Sequence, residues 1–115
     1  MERYSEEWKP VRGYEGLYEV SSLGNVRRLG YQIVTSNRWG EHTTVYPAAS
    51  VKKRVIYGSL KVFLRKDGRT SDHYVHDLVA EAFIPNPLGM RYVTHINSIR
   101  CDNRVENLKW TNEKI

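Results

Sequence analysis

One stretch of the sequence changes the period of its apolar residues, and that change limits the folds open to the chain. After Val75, Leu78, Val79, Ala82 and Phe83 fall on one face of a helix, with Asp77 and Glu81 on the other. The run ends at Ile84-Pro85-Asn86-Pro87, where two prolines remove backbone donors and push their predecessors out of helical geometry. Before it, β-rich segments alternate with turn residues. Pro10, Gly13 and Gly16 divide Trp8, Val11, Tyr14, Leu17, Tyr18 and Val20 among short strands and turns. Tyr18 to Ser22, Leu23-Gly24-Asn25 and Val26 to Leu29 read as strand, turn, strand. Leu60 to Arg65 reads as a strand, Asp67-Gly68 as a hairpin turn, and Thr70 to Val75 as the return strand. Residues 30–50 are the least patterned and suggest an irregular or hairpin-bearing insert without a functional reading. The expected class is α+β, rich in hairpins, with one short helix before the C-terminal segment.

At 115 residues the chain suits one compact domain or two very small modules. A single cysteine, Cys101, excludes an internal disulfide and a multi-cysteine zinc site, and suits a reducing compartment. No apolar run approaches the roughly 18–20 residues of a membrane span, and no signal-peptide core follows Met1. Eighteen Lys and Arg against 13 Asp and Glu leave a net charge of +5, which favours nucleic acid or another polyanion as partner.

The residues able to carry chemistry gather late in the chain. In Tyr92 to Trp110, a β-branched run ends in Thr94-His95, a polar loop follows, and Asn107-Leu108-Lys109-Trp110 begins a second apolar run. This reads as a hairpin-like frame presenting one imidazole. A histidine can deprotonate water for attack on phosphorus, although spacing alone fits a structural histidine equally well. Asn97, Asn103 and Asn107 surround the loop, where Asn side chains tie down backbone or orient an imidazole. Arg100 and Arg104 can contact phosphates or, beside Asp102 and Glu106, form a solvated face. His76 opens the helix, where it can cap, pack or support a site. His42 and His73 read as surface or strand residues. No nucleophilic triad, glycine-rich phosphate loop or pair of carboxylates spaced for acid/base work is present.

Tyr92 to Trp110 resembles the HNH (ββα-metal, or His-Me finger) endonuclease motif in its phage and intron-borne homing form. His76-Asp77-Leu78-Val79-Ala80-Glu81-Ala82-Phe83-Ile84-Pro85-Asn86-Pro87 is similar to the segment that precedes that motif, and Glu7 to Arg27 resembles the nuclease-associated module that begins such proteins. The likeness divides the chain into 1–50, an N-terminal module with its insert, and 51–115, an HNH-like domain without most of its final helix. It implies single-metal phosphodiester hydrolysis with Mg²⁺ or another divalent ion. His95 matches the general base, Asn107 the central Asn that braces the loop and orients the histidine, and Asn103 a second loop-fixing residue. Arg27, Arg28, Lys52, Lys53, Arg54, Arg100 and Arg104 are the expected contacts to double-stranded DNA. A cytoplasmic location in a bacterial host, with a phage origin, follows from the same resemblance.

The chain also departs from the pattern. Thr94 stands where the family carries an Asp, Asn or His metal ligand, and Asn97-Ser98 replaces Asp-Gly. The last ligand of the motif falls beyond Ile115. Two readings follow. One is an HNH endonuclease whose metal site is weakened or completed differently, for instance by a second copy in a homodimer. The other is a catalytically degenerate HNH-fold protein, needing no metal, that binds DNA or a protein partner as a regulator or inhibitor.

Overall fold

The computed structural model describes residues 5–113. In chain order the strands are β1 (Trp8–Pro10), β2 (Tyr18–Ser21), β3 (Val26–Arg28), β4 (Tyr31–Asn37), β5 (Gly40–Tyr46), β6 (Ala49–Ser50), β7 (Arg54–Ile56), β8 (Ser59–Lys66) and β9 (Arg69–Tyr74). Helix α1 (Val75–Phe83) follows, then β10 (Tyr92–His95), a 3₁₀ turn at Val105–Asn107, and β11 (Leu108–Thr111). The class is α+β, as expected. The strands form four antiparallel groups: β1-β2-β3-β6, β4-β5, β7-β8-β9 and β10-β11.

The turn signals place the hairpins. Asp67 and Gly68 both take positive φ, 54° and 77°, matching the two-residue turn whose twist suits a right-handed hairpin. Tyr57 and Gly58 do the same between β7 and β8, at 52° and 81°. Helix α1 starts directly from β9 and ends at Phe83, with Ile84 as its extended C-cap just before Pro85.

Val11, Val20, Val26, Val62, Leu64, Val75, Leu78, Val79, Val93 and Leu108 bury their side chains in one cluster, which therefore draws on the sheets before the helix, the helix itself and the hairpin after it. Ala80 is buried too, although the helical periodicity puts it between the faces. The reason is that α1 touches β1, β2, β8, β9, β10 and β11, so more than one side of it is covered. Trp110 adds a tie from β11, its indole Nε1 donating to the Ile84 carbonyl at 2.9 Å.

The 30–50 region is more regular than its composition suggests. β4 and β5 pair over seven residues from Tyr31↔Tyr46 to Asn37↔Gly40, and the two tyrosine rings stack at 4.7 Å. Nearly every residue of this ribbon is exposed, which removes the one-sided apolar alternation by which strands are read. Among the described residues no helix is long and apolar enough to cross a membrane.

Candidate functional site

The frame of the site is the β10-β11 ladder, in which Thr94 faces Lys109 and His95 faces Leu108. Beyond it, Ile96 N–H donates to the Asn107 carbonyl at 2.8 Å, so the two strands are still joined where the loop begins. Asn107 then closes the loop from inside. Its Oδ1 accepts from Asn97 N–H at 3.0 Å, and its Nδ2 donates to Asn97 Oδ1 at 2.9 Å and to the Asp102 carbonyl at 2.8 Å. Asp102 is clasped by Arg104 through two bonds of 2.7 and 2.8 Å, which hold its carboxyl well below the usual carboxylate range.

His95 is oriented by a different asparagine. His95 Nε2 lies 2.7 Å from Asn103 Oδ1, a distance that suits Nε2–H as donor and leaves Nδ1 as the basic nitrogen. The orienting role expected of Asn107 therefore belongs to Asn103, while Asn107 braces the loop. Asn103 is itself fixed from the N-terminal half. Val105 N–H donates to the Ser22 carbonyl at 2.9 Å, and Gly24 lies flat against Asn103. A Cβ at Gly24 would stand 3.0 Å from Asn103 Cβ and 3.1 Å from its carbonyl oxygen, and φ of +89° disfavours any side chain there. Gly24→Ala is accordingly expected to lower stability by about 2 kcal/mol and to displace Asn103. Thermal unfolding checks the first effect, and a shifted His95 ring resonance checks the second. An unshifted resonance in a folded variant would show that Asn103 does not depend on this contact.

His76 is the second histidine of the site. Its ring stacks on Tyr74 at 5.0 Å and meets His95 edge-on at 5.0 Å. Burial, then the neighbouring His95 and Arg100, pull its pKa down to about 4. Its Nε2 is 3.5 Å from Asp77 Oδ1, an ion-pair distance, yet a neutral His76 makes this a polar contact at pH 7. Asp77 moves the other way, pushed up to about 6 by partial burial and by Glu81, although 45% of its side chain meets solvent, which screens much of that penalty.

The signs oppose. As pH falls below 6.5, unfolded chains protonate His76 while the native state resists, so stability drops until about pH 4. Asp77 takes up its proton earlier in the native state, so its contribution grows as pH falls through about 6. A comparison isolates the histidine: between pH 7 and pH 5 the wild type is expected to lose about 2 kcal/mol more stability than His76→Phe. Denaturant melts at both pH values measure it, and equal losses would mean that His76 is not held neutral.

These residues line an open pocket of about 500 Å³, with His76, Asp77, Thr94, His95, Ser98 and Arg100 around it. Ser59, Tyr74 and Arg91 line it as well. No local pattern in the sequence marks them, since they come from separate elements and meet only through the fold.

The expected DNA contacts differ in how free they are. Arg27 is tied to Glu19 at 2.6 Å and lies over Trp8, and Arg104 is tied to Asp102. Arg28 donates to the Pro47 carbonyl at 2.8 Å and Lys53 Nζ to Asn25 Oδ1 at 2.9 Å, so both keep their charge against neutral partners. Arg54 lies over Phe63, while Lys52 and Arg100 are exposed. No ion pair engages Lys52, Arg54 or Arg100 among the described residues.

Among the described residues no group of three or more His, Cys, Asp or Glu is placed to hold an ion. Thr94, beside His95, offers a neutral hydroxyl where hard cations prefer carboxylate or carbonyl oxygen.

The model for the NUMOD4 motif matches residues 6–68. DNA endonuclease I-HmuI of Bacillus phage SP01 is 32% identical over 109 residues, covering 95% of this chain and 54% of that protein. An uncharacterised HNH endonuclease of Acanthamoeba polyphaga mimivirus is 34% identical over 115 residues, covering 96% of this chain and 25% of its own. This chain thus spans about half or less of the curated relatives it matches. A solved structure from work on DNA binding and cleavage by I-HmuI superposes with a TM-score of 0.66 at 30% identity, over 91% of this chain and 52% of that one. With the motif spanning more than half of the sequence, the chain belongs to the NUMOD4 family, and over nearly its whole length it is similar to proteins named as HNH or homing endonucleases.

Proposed function

We propose that this chain grips double-stranded DNA through basic residues drawn from both halves of the chain and presents, from residues 51–115, the general base of an HNH endonuclease. The observation that carries the reading is the 2.7 Å bond between His95 Nε2 and Asn103 Oδ1. It assigns the proton to Nε2 and leaves Nδ1 to take a proton from an attacking water at a phosphodiester. Asn107 keeps the loop closed, Asn103 sets the ring, and His76, held neutral, packs beside His95 without adding a charge. Arg28, Lys52, Lys53, Arg54 and Arg100, which have no carboxylate partner among the described residues, supply the charge for the DNA backbone. Arg27 and Arg104, already paired with carboxylates, add less. The relatives named as endonucleases support the same reading.

A divalent ion enters this reading as a cofactor to be tested by addition. The second reading is a DNA-binding protein that keeps the fold without cleaving. Nicking of supercoiled plasmid with magnesium or manganese, alongside duplex binding over a range of salt, decides between them. The endonuclease reading expects metal-dependent nicking and an affinity that falls steeply with salt, by about one decade in affinity per decade of salt for each phosphate contacted. Salt-sensitive binding without nicking supports the binder. Absence of binding would overturn both and leave a protein partner.

A further inference from the structure

The pocket beside His95 holds a cation that neither the loop nor the helix needs. Arg100 is exposed, lines the pocket, and forms no ion pair among the described residues, although Asp102 and Glu106 lie close in sequence. Those two acids are engaged by Arg104 instead, at 2.7 and 3.6 Å. The guanidinium is nevertheless seated. A Cβ on Gly58 would come within 3.3 Å of Arg100 Nη1 and 3.8 Å of Cζ, so the turn between β7 and β8 offers bare backbone on which the fork rests. Gly58 takes φ of +81°, a conformation that also favours glycine. The neighbouring Cys101 Sγ sits 3.6 Å from the Gly58 carbonyl, which fastens the same loop to the same turn. The charge is also felt inside, because Arg100 is among the groups that hold His76 neutral.

The lining pairs two arginines, Arg91 and Arg100, with two histidines and one acid, Asp77, whose pKa is pushed up to about 6 by partial burial and by Glu81. A planar guanidinium with no carboxylate partner, exposed and lining the pocket, matches two oxygens of a tetrahedral anion. We infer that Arg100, seated on the Tyr57-Gly58 turn, binds the non-bridging oxygens of the phosphate that occupies this pocket and holds that phosphate beside His95. The inference rests on the function proposed above and deepens it. It gives the pocket a fixed positive charge, and it makes a turn inside the NUMOD4-matching segment part of the wall of the reaction site.

The test uses the whole chain, inorganic phosphate at constant ionic strength, and a chelator throughout. Ring-proton resonances of His76 and His95 are followed by NMR in the wild type, Arg100→Gln, Arg100→Lys and Arg91→Gln. Saturable shifts are expected in the wild type, with affinity about tenfold weaker or more in Arg100→Gln and a smaller loss in Arg100→Lys. An unchanged affinity in Arg100→Gln overturns the inference, as does a loss seen in Arg91→Gln alone, or a wild type whose rings do not respond. Plasmid nicking run in parallel separates the two proposals. Phosphate held through Arg100 in a chain that never nicks supports this site and counts against the nuclease. Nicking that is unaffected by Arg100→Gln supports the nuclease and overturns this site.

Discussion

Asn107→Ala is expected to lower the stability of the chain by about 3 kcal/mol and its melting temperature by about 10–15 °C. Only 5% of Asn107 meets solvent, and its amide makes three bonds that nothing nearby can replace. Truncation leaves the Asn97 N–H and the Asp102 carbonyl without their partner, and each unsatisfied group in a part-buried site costs about 1–3 kcal/mol. The lost bonds join the two ends of one loop, so the damage is local in sequence and still reaches His95. Ser98 N–H donates to the His95 carbonyl at 3.0 Å, and the next pair along the ladder is Ile96 with Asn107 itself. Asn107→Asp keeps the acceptor and loses both donor bonds, so its stability should fall between wild type and alanine near pH 4 and approach alanine at pH 7. Denaturant melts at the two pH values resolve this. An alanine variant within 1 kcal/mol of wild type would mean that backbone bonds alone close the loop.

How much of this was legible in the residues depends on how local each cause is. The Asp67-Gly68 hairpin and the stop at Pro85 were readable because turn chemistry and the missing proline donor act within a few positions. The His95 hairpin was readable through its resemblance to a known motif. The β4-β5 ribbon was legible only as one of two alternatives, a hairpin-bearing rather than an irregular insert, since Tyr31–Asn37 and Gly40–Tyr46 are exposed on both faces and leave no buried alternation to detect. The division of labour between Asn103 and Asn107 escaped. Two asparagines four positions apart carry the same chemistry, and only the folded loop shows Asn103 bonded to the imidazole while Asn107 sits in the 3₁₀ turn at Val105–Asn107. Supports supplied across the chain, Gly24 against Asn103 and Gly58 against Arg100, have no sequence signature at all. His73 shows the same limit in a milder form. It lies in strand β9 as expected, yet its ring also meets the Tyr14 hydroxyl at 3.1 Å.

His95→Ala is the second large effect, and it falls on rate rather than stability. If His95 Nδ1 takes the proton from water, its loss is expected to slow nicking by about 10²–10⁴-fold, the usual contribution of a general base. Stability should change by about 1 kcal/mol, because His95 is only half-buried and the deletion leaves one neutral acceptor, Asn103 Oδ1, without its donor. Duplex affinity should hold within about twofold, since the imidazole is not among the charged groups that meet the backbone. Asn103→Ala makes a useful contrast. It keeps the base but frees the ring to turn and to change tautomer, so the expected loss is smaller, about tenfold, and the pH dependence of the remaining rate should shift with the histidine. The order of the two losses carries the argument. A nicking rate that survives His95→Ala and falls on Asn103→Ala would mean that Asn103 acts through the loop and that some other group removes the proton.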